Sequence, residues 1–255
     1  MQPLRIDVSC YGTPESNGGN IKSALARKLP QLTPALCAHD GHFVVVGSGP
    51  SLPSHIEDIR EERKLGRPVC AVKGAHDFLC ENSFNPDLFL CVDPRDRTEN
   101  IKHANSDTIY LMASRCDPAM FDHLKDRNVM VWNSFGIVAE SEYYKGHYSI
   151  GGGSTSGLRA ITIGYVLGFR NFILYGMDSC LAEDKLTKRF TGEKAGQVID
   201  VIVGGKTFYC NGAMAQQAQE VQELMNTLEG IHIEVKGNGL IAAIWEERRR
   251  LGLSV

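Results

Sequence analysis

Residues Phe43 to Leu52 read FVVVGSGPSL, an apolar run with three successive valines that passes directly into Gly-Ser-Gly-Pro-Ser. A short continuous run of this kind is a strand covered on both faces, and the glycines behind it permit a sharp reversal and close backbone approach. Pro50 presets φ for a first helical turn and Ser51 supplies a capping hydroxyl, so the pattern predicts a strand, a tight turn and a helix over residues 52–65. Unpaired N–H groups at such a helix start favour an anion, which makes Gly47, Ser48, Gly49, Pro50 and Ser51 candidate phosphate-binding residues. The segment is neither GxxxxGK[ST] nor GxGxxG, so the lysine and metal-bound hydroxyl of P-loop chemistry are missing. A plain strand-to-helix turn is the alternative reading.

Beyond His42 the chain alternates short apolar runs with amphipathic stretches, the βαβα pattern of an open sheet. Strands are expected at 43–46, 69–72, 88–92, 108–112, 128–132, 172–175 and 231–235, with helices at 52–65, 75–81, 119–125, 156–167 and 212–229. The fold class is α/β: a Rossmann-like open, mostly parallel sheet with helices on both faces. Residues 1–40, with a strand at 4–8, a loop at 14–20 and a helix at 21–29, read as an N-terminal extension packed on a single domain over 41–255. Residues 135–153 and 181–205 break all periodicity and read as long binding loops.

A second corner follows the logic of the first. Gly151, Gly152 and Gly153 precede Ser154, Thr155, Ser156 and Gly157 at a predicted helix start, and the next strand ends in Gly176-Met177-Asp178. Hydroxyls and N–H groups there sit at the positive end of a helix dipole, and Asp178 falls at a strand's carboxyl end, where open α/β sheets bind ligands. Simple N-capping by Ser and Thr, and a solvated turn at Asp178, are the alternatives.

The 255-residue chain is 43% hydrophobic with a net charge of −3, so it can bury one sizeable core and has no overall case for duplex nucleic acid. Its eight cysteines form no CxxC pair, which suits reduced, buried thiols better than a zinc cage. No stretch approaches the ~18 apolar residues of a membrane span, and no basic-then-apolar leader opens the chain. The expectation is a cytoplasmic protein without a membrane span.

Several segments together carry a family likeness: Gly47 to Leu52, Val72-Lys73-Gly74-Ala75, Asn85-Pro86-Asp87 leading through a strand to Asp93-Pro94, Thr155-Ser156-Gly157, Leu167-Gly168-Phe169-Arg170, and Met177-Asp178. In this order, and with residues 231–244 as a closing strand, loop and short helix, the chain resembles the 6-hydroxymethylpterin diphosphokinase MptE-like family over residues 42–245. That family takes in flagellar motility accessory factors and shares a Rossmann-like core with bacterial sialyltransferases. The resemblance implies a transferase with a nucleotide donor, ATP for pyrophosphoryl transfer or a CMP-activated sugar for glycosyl transfer, and a small-molecule or glycan acceptor. Sialyltransferases carry a base histidine before the helix that begins here near Gly212, where this chain has Tyr209-Cys210-Asn211. They also carry asparagine where Ser48 and Lys73 stand.

Pyrophosphoryl transfer needs positioning and charge neutralisation more than covalent chemistry. Asp93 and Asp178 are the candidate catalytic carboxylates and Mg²⁺ ligands, and Lys73, Arg95 and Arg159 the candidate phosphate partners, with Arg159 equally readable as a solvated helix residue. His147, in the Tyr143-to-Tyr148 stretch, is the candidate base, and Asn238 in Gly237-Asn238-Gly239 a candidate nucleotide contact or a turn. The leading reading is diphosphokinase-like transfer from ATP to a small hydroxylated acceptor. A glycosyltransferase and a non-catalytic nucleotide- or glycan-binding module are the alternatives.

Overall fold

The computed structural model describes residues 12–134 and 142–253. The strand expected at 4–8 and the start of the loop at 135–153 lie outside the described residues. In chain order the elements are α1 (Pro14–Ala26), β1 (His42–Val46), α2 (Ile56–Lys64), β2 (Val69–Val72), α3 (Ala75–Glu81), β3 (Leu88–Cys91), β4 (Ile109–Ala113), α4 (Pro118–His123), β5 (Asn128–Ser134) and β6 (Ser149–Ile150). They continue with α5 (Ser156–Val166), β7 (Asn171–Tyr175), β8 (Ile199–Val203), β9 (Lys206–Cys210), α6 (Gly212–Thr227), β10 (His232–Val235) and α7 (Leu240–Arg250).

Among the described residues eight strands form one sheet in the order β10-β7-β1-β2-β3-β4-β5-β6, and every pairing in it is parallel. Their apolar runs are continuous because both faces are covered. Val44, Val46, Ala71 and Ile173 pack under Ile59 of α2 and Leu79 of α3, while Phe43, Val45, Cys70 and Leu174 pack under Leu158 and Ile161 of α5 and Ile241 of α7. From β1 the chain steps outward through β6, then α5 carries it back to β7 on the other flank of β1. Strand order therefore reverses between β1 and β7, and that reversal opens a crevice at their carboxyl ends.

Local chemistry explains most departures from expectation. The first helix spans Pro14–Ala26 because Thr13 and Ser16 form a reciprocal capping box ahead of it, which overrides the loop tendency of the Gly-Asn segment. The extension also reaches the sheet itself: Val131 N–H donates to Pro30 O and Leu32 N–H to Val131 O, each at 2.8 Å. The helix expected over 52–65 is split, with a 3₁₀ turn at Leu52–His55 before α2. Leu52 precedes Pro53, and a residue before proline is pushed out of the α region. Instead of a loop throughout 181–205, β8 pairs antiparallel with β9 across Gly204-Gly205, whose φ values of 56° and 78° make the two-residue turn that suits strand twist. Trp245 of α7 is buried and donates its indole N–H to Ile233 O at 2.8 Å, clamping α7 to β10. The seven described cysteines are unpaired, and five of them are buried. Among the described residues no helix is long and apolar enough to cross a membrane.

Candidate functional site

Three glycine-bearing loops meet at the β1/β7 crevice. Gly47 N–H donates to Tyr175 O and Gly49 N–H to Gly176 O, each at 2.8 Å, so the two loops run on as if still paired strands. A Cβ on Gly47 would stand 2.6 Å from Gly176 O, and one on Gly239 would stand 2.6 Å from the Asp178 Cα, so bare backbone is what lets the loops close up. Asp178 sits at the centre, only 4% exposed. Its Oδ2 accepts the Ser51 N–H at 2.8 Å and its Oδ1 the Ser51 hydroxyl at 2.6 Å. Burial pushes the Asp178 carboxyl above the usual carboxylate range, against the pull of the two Ser51 bonds and of His55. The Ser51 donors, expected to face a phosphate, are thus engaged by the chain's own carboxylate. Ser48 is buried, and Asn238 is exposed at the loop tip after β10.

The second corner reaches the same crevice through α5. Gly157 lies against Met177, and a Cβ on it would stand only 2.5 Å from the Met177 Sδ. Thr155 caps the helix, its hydroxyl oxygen accepting from Leu158 N–H at 3.4 Å and from Gln217 Nε2 at 3.1 Å. Gln217 Oε1 in turn accepts the Ser179 hydroxyl at 2.8 Å. Behind Gly152 and Gly153, the Ser154 amide and hydroxyl both donate to Glu220 Oε2, at 2.8 and 2.7 Å. Gln217 and Glu220, one turn apart on α6, are the residues that sequence reasoning passed over; they belong to no motif, and only the docking of α6 on α5 brings them in.

The other candidates lie elsewhere. Asp93 follows β3, and β3 stands three strand positions from β7, about 14 Å at ordinary strand spacing. At that separation the two carboxylates do not share one ion. Asp93 accepts from Arg95 Nε at 2.9 Å, Arg95 Nη2 at 2.7 Å and Arg97 Nε at 3.0 Å, and Asp178 from Ser51. Burial alone would raise Asp93, but the Arg95 and Arg97 bonds outweigh it and hold its pKa at about 2. Among the described residues no group of three or more metal-binding side chains occurs. His147 is exposed before β6, at the opposite edge of the sheet from β7, so the crevice does not include it. Arg159 is buried instead of solvated; its Nη1 donates to Ile150 O at 2.9 Å, and burial with neighbouring Arg115 lowers its pKa to about 10. Lys73, just past β2, keeps its place at the carboxyl edge of the sheet with φ 53°.

A sequence model described as 6-hydroxymethylpterin diphosphokinase MptE-like matches residues 17–184, from within α1 to shortly after Asp178 and short of β8. No curated protein matches the chain in sequence. Among solved structures, the MAf glycosyltransferase from Magnetospirillum magneticum AMB-1 has the same fold, with a TM-score of 0.69 over 96% of this chain at 15% identity. The chain spans 42% of that protein's length.

Proposed function

This chain belongs to the 6-hydroxymethylpterin diphosphokinase MptE-like family, and we propose on that footing that it is a nucleotide-dependent transferase, passing a diphosphate from ATP to a small hydroxylated acceptor. The observation that carries the reading is the meeting of the loops at 47–51, 176–178 and 237–239 at the point where strand order reverses. Crevices outside the carboxyl ends of parallel strands at such a reversal are where doubly wound sheets bind nucleotides. Bare backbone at Gly47, Gly49 and Gly239 lets the three loops close against one another at that point. Asp178 locks Ser51, and its remaining lone pairs can accept a ribose hydroxyl, the part a strand-end carboxylate plays in dinucleotide folds. Charge neutralisation at the phosphates is assigned to cationic side chains such as Lys73 and to backbone N–H groups.

A glycosyltransferase using a CMP-activated sugar is the second reading, favoured by the likeness of fold to a glycosyltransferase and opposed by Tyr209-Cys210-Asn211 ahead of α6. Thermal-shift titration with ATP plus Mg²⁺, CMP, CMP-sugars and UDP-sugars separates the two. A donor present at 100 times its Kd stabilises by about 2.7 kcal/mol, a visible shift in Tm. ATP is expected to raise Tm and CMP to leave it unchanged; the reverse selects the glycosyltransferase, and no shift with any nucleotide refutes both.

A further inference from the structure

Gln217 of α6 joins the second glycine corner to the residue that follows Asp178. Its Nε2 donates to the Thr155 hydroxyl oxygen at 3.1 Å, and its Oε1 accepts the Ser179 hydroxyl at 2.8 Å. Ser179 has φ 51°, a left-handed backbone that costs a non-glycine residue about 1 kcal/mol or more. The bond to Gln217 and one from the Cys210 thiol to Ser179 O, at 3.3 Å, hold it there.

A hydroxyl oxygen offers two lone pairs and one hydrogen. At Thr155 the lone pairs take the Leu158 N–H at 3.4 Å and Gln217 Nε2, while the hydrogen has no acceptor among the described residues. Thr155 is thereby left as a donor only; without Gln217 one lone pair would open and the hydroxyl could donate or accept alike. Ser48 and Ser156 are 9% and 2% exposed, and neither hydroxyl has a hydrogen bond among the described residues. Each adjoins a glycine packed on Met177: a Cβ on Gly47 would stand 2.9 Å from the Met177 Sδ, and one on Gly157 2.5 Å. Buried hydroxyls left unpaired cost free energy that the polar edge of a ligand recovers. Charge decides which part of a nucleotide supplies that edge. Glu220 is held by Ser154, next to Thr155, and Asp178 adjoins Ser179. A phosphate there would meet two carboxylates, whereas the ring nitrogens and carbonyls of a nucleobase are uncharged acceptors, and a thioether suits its rings.

We propose that Gln217 is a positioning residue of the donor site, acting through Thr155 by fixing that hydroxyl as the donor to an uncharged acceptor atom on the nucleotide's base. The proposal rests on the nucleotide-transferase reading and names the part of the nucleotide that the second corner takes.

Calorimetric titration of the whole chain with ATP, CMP and inorganic pyrophosphate tests this in the wild type, Thr155→Val, Gln217→Met, the double variant and Thr155→Ser. Gln217→Met leaves the Thr155 cap of α5 in place, so it reports even if Thr155→Val fails to fold. Thr155→Val and Gln217→Met are each expected to weaken the nucleotide that the wild type binds about 10-fold, and the double variant no more than Thr155→Val alone. Thr155→Ser, which keeps the hydroxyl, restores the affinity, and pyrophosphate is indifferent to every substitution. A Gln217 that only stabilises the fold would lower Tm and leave the nucleotide affinity of the folded chain unchanged. Nucleotide bound alike by all forms overturns the assignment and leaves the nucleotide reading standing. Losses that add in the double variant, or pyrophosphate weakened along with the nucleotide, also overturn it. The expected pattern seen with CMP in place of ATP upholds the assignment and selects the glycosyltransferase reading, and a wild type that binds neither nucleotide overturns both.

Discussion

Asp93 and Asp178 both follow parallel strands, yet their surroundings push them in opposite directions. Asp93, bonded to Arg95 and Arg97, has a folded pKa of about 2 against an unfolded value near 4, so its ionised form stabilises the fold above about pH 4 and that contribution disappears as pH falls through about 2. The difference corresponds to about 2 kcal/mol. Asp93→Asn is therefore expected to lower stability by about that amount at pH 7, and the gap to the wild type should close on acidification. Urea melts from pH 7 to 2 measure this, and a gap independent of pH would show that the carboxylate's charge is not what Arg95 and Arg97 hold. Asp178 has the opposite sign: its folded pKa is raised, so ionisation costs stability as pH rises through the carboxylate range and protonation relieves the cost. Part of this was legible in the chain. Asp93-Pro94-Arg95-Asp96-Arg97 displays its ion pairs at short range, whereas nothing near Asp178 in sequence announces Ser51.

At the scale of elements, glycine marks both the turns that matter and the turns that do not. Gly176 has φ 60°, and a Cβ there would collide with Gly47 O, so Gly176→Ala must strain a backbone and also separate two strand ends. Gly66 has φ 76° but open space around it. Gly66→Ala is expected to cost about 1 kcal/mol, the strain alone, and Gly176→Ala at least twice as much. Urea denaturation of both variants checks the ratio; equal losses would mean that the β1 and β7 loops can part without penalty. The strands and most helices were readable because apolar runs and caps act locally. The β8–β9 hairpin left only a Gly204-Gly205 turn between β-branched and aromatic residues as its signal, and a polar, glycine-bearing neighbourhood masked it. The split of the helix after Ser51 turns on Pro53, a single residue inside an otherwise helical pattern.

Across the whole molecule, β1 pairs with β2 some two dozen residues on and with β7 more than a hundred residues on. A fragment ending at residue 150 would leave the β1 edge bare and strip α5, α6 and α7 from the face that buries Phe43 and Val45. Such a fragment is expected to lack a cooperative melt by near-ultraviolet circular dichroism and to elute as aggregate, and a sharp transition from a monomer would refute the dependence.

Strand, turn and helix, and with them an α/β sheet with glycine loops at its carboxyl edge, were determined by the sequence itself, because propensity, capping and apolar periodicity operate within a few residues. Which donors those loops leave free was decided only by the tertiary structure. Ser51 and Asp178 lie 127 residues apart, and Ser154 and Glu220 lie 66 apart; a carboxylate's partner depends on which chain segments pack together, and no local pattern encodes that.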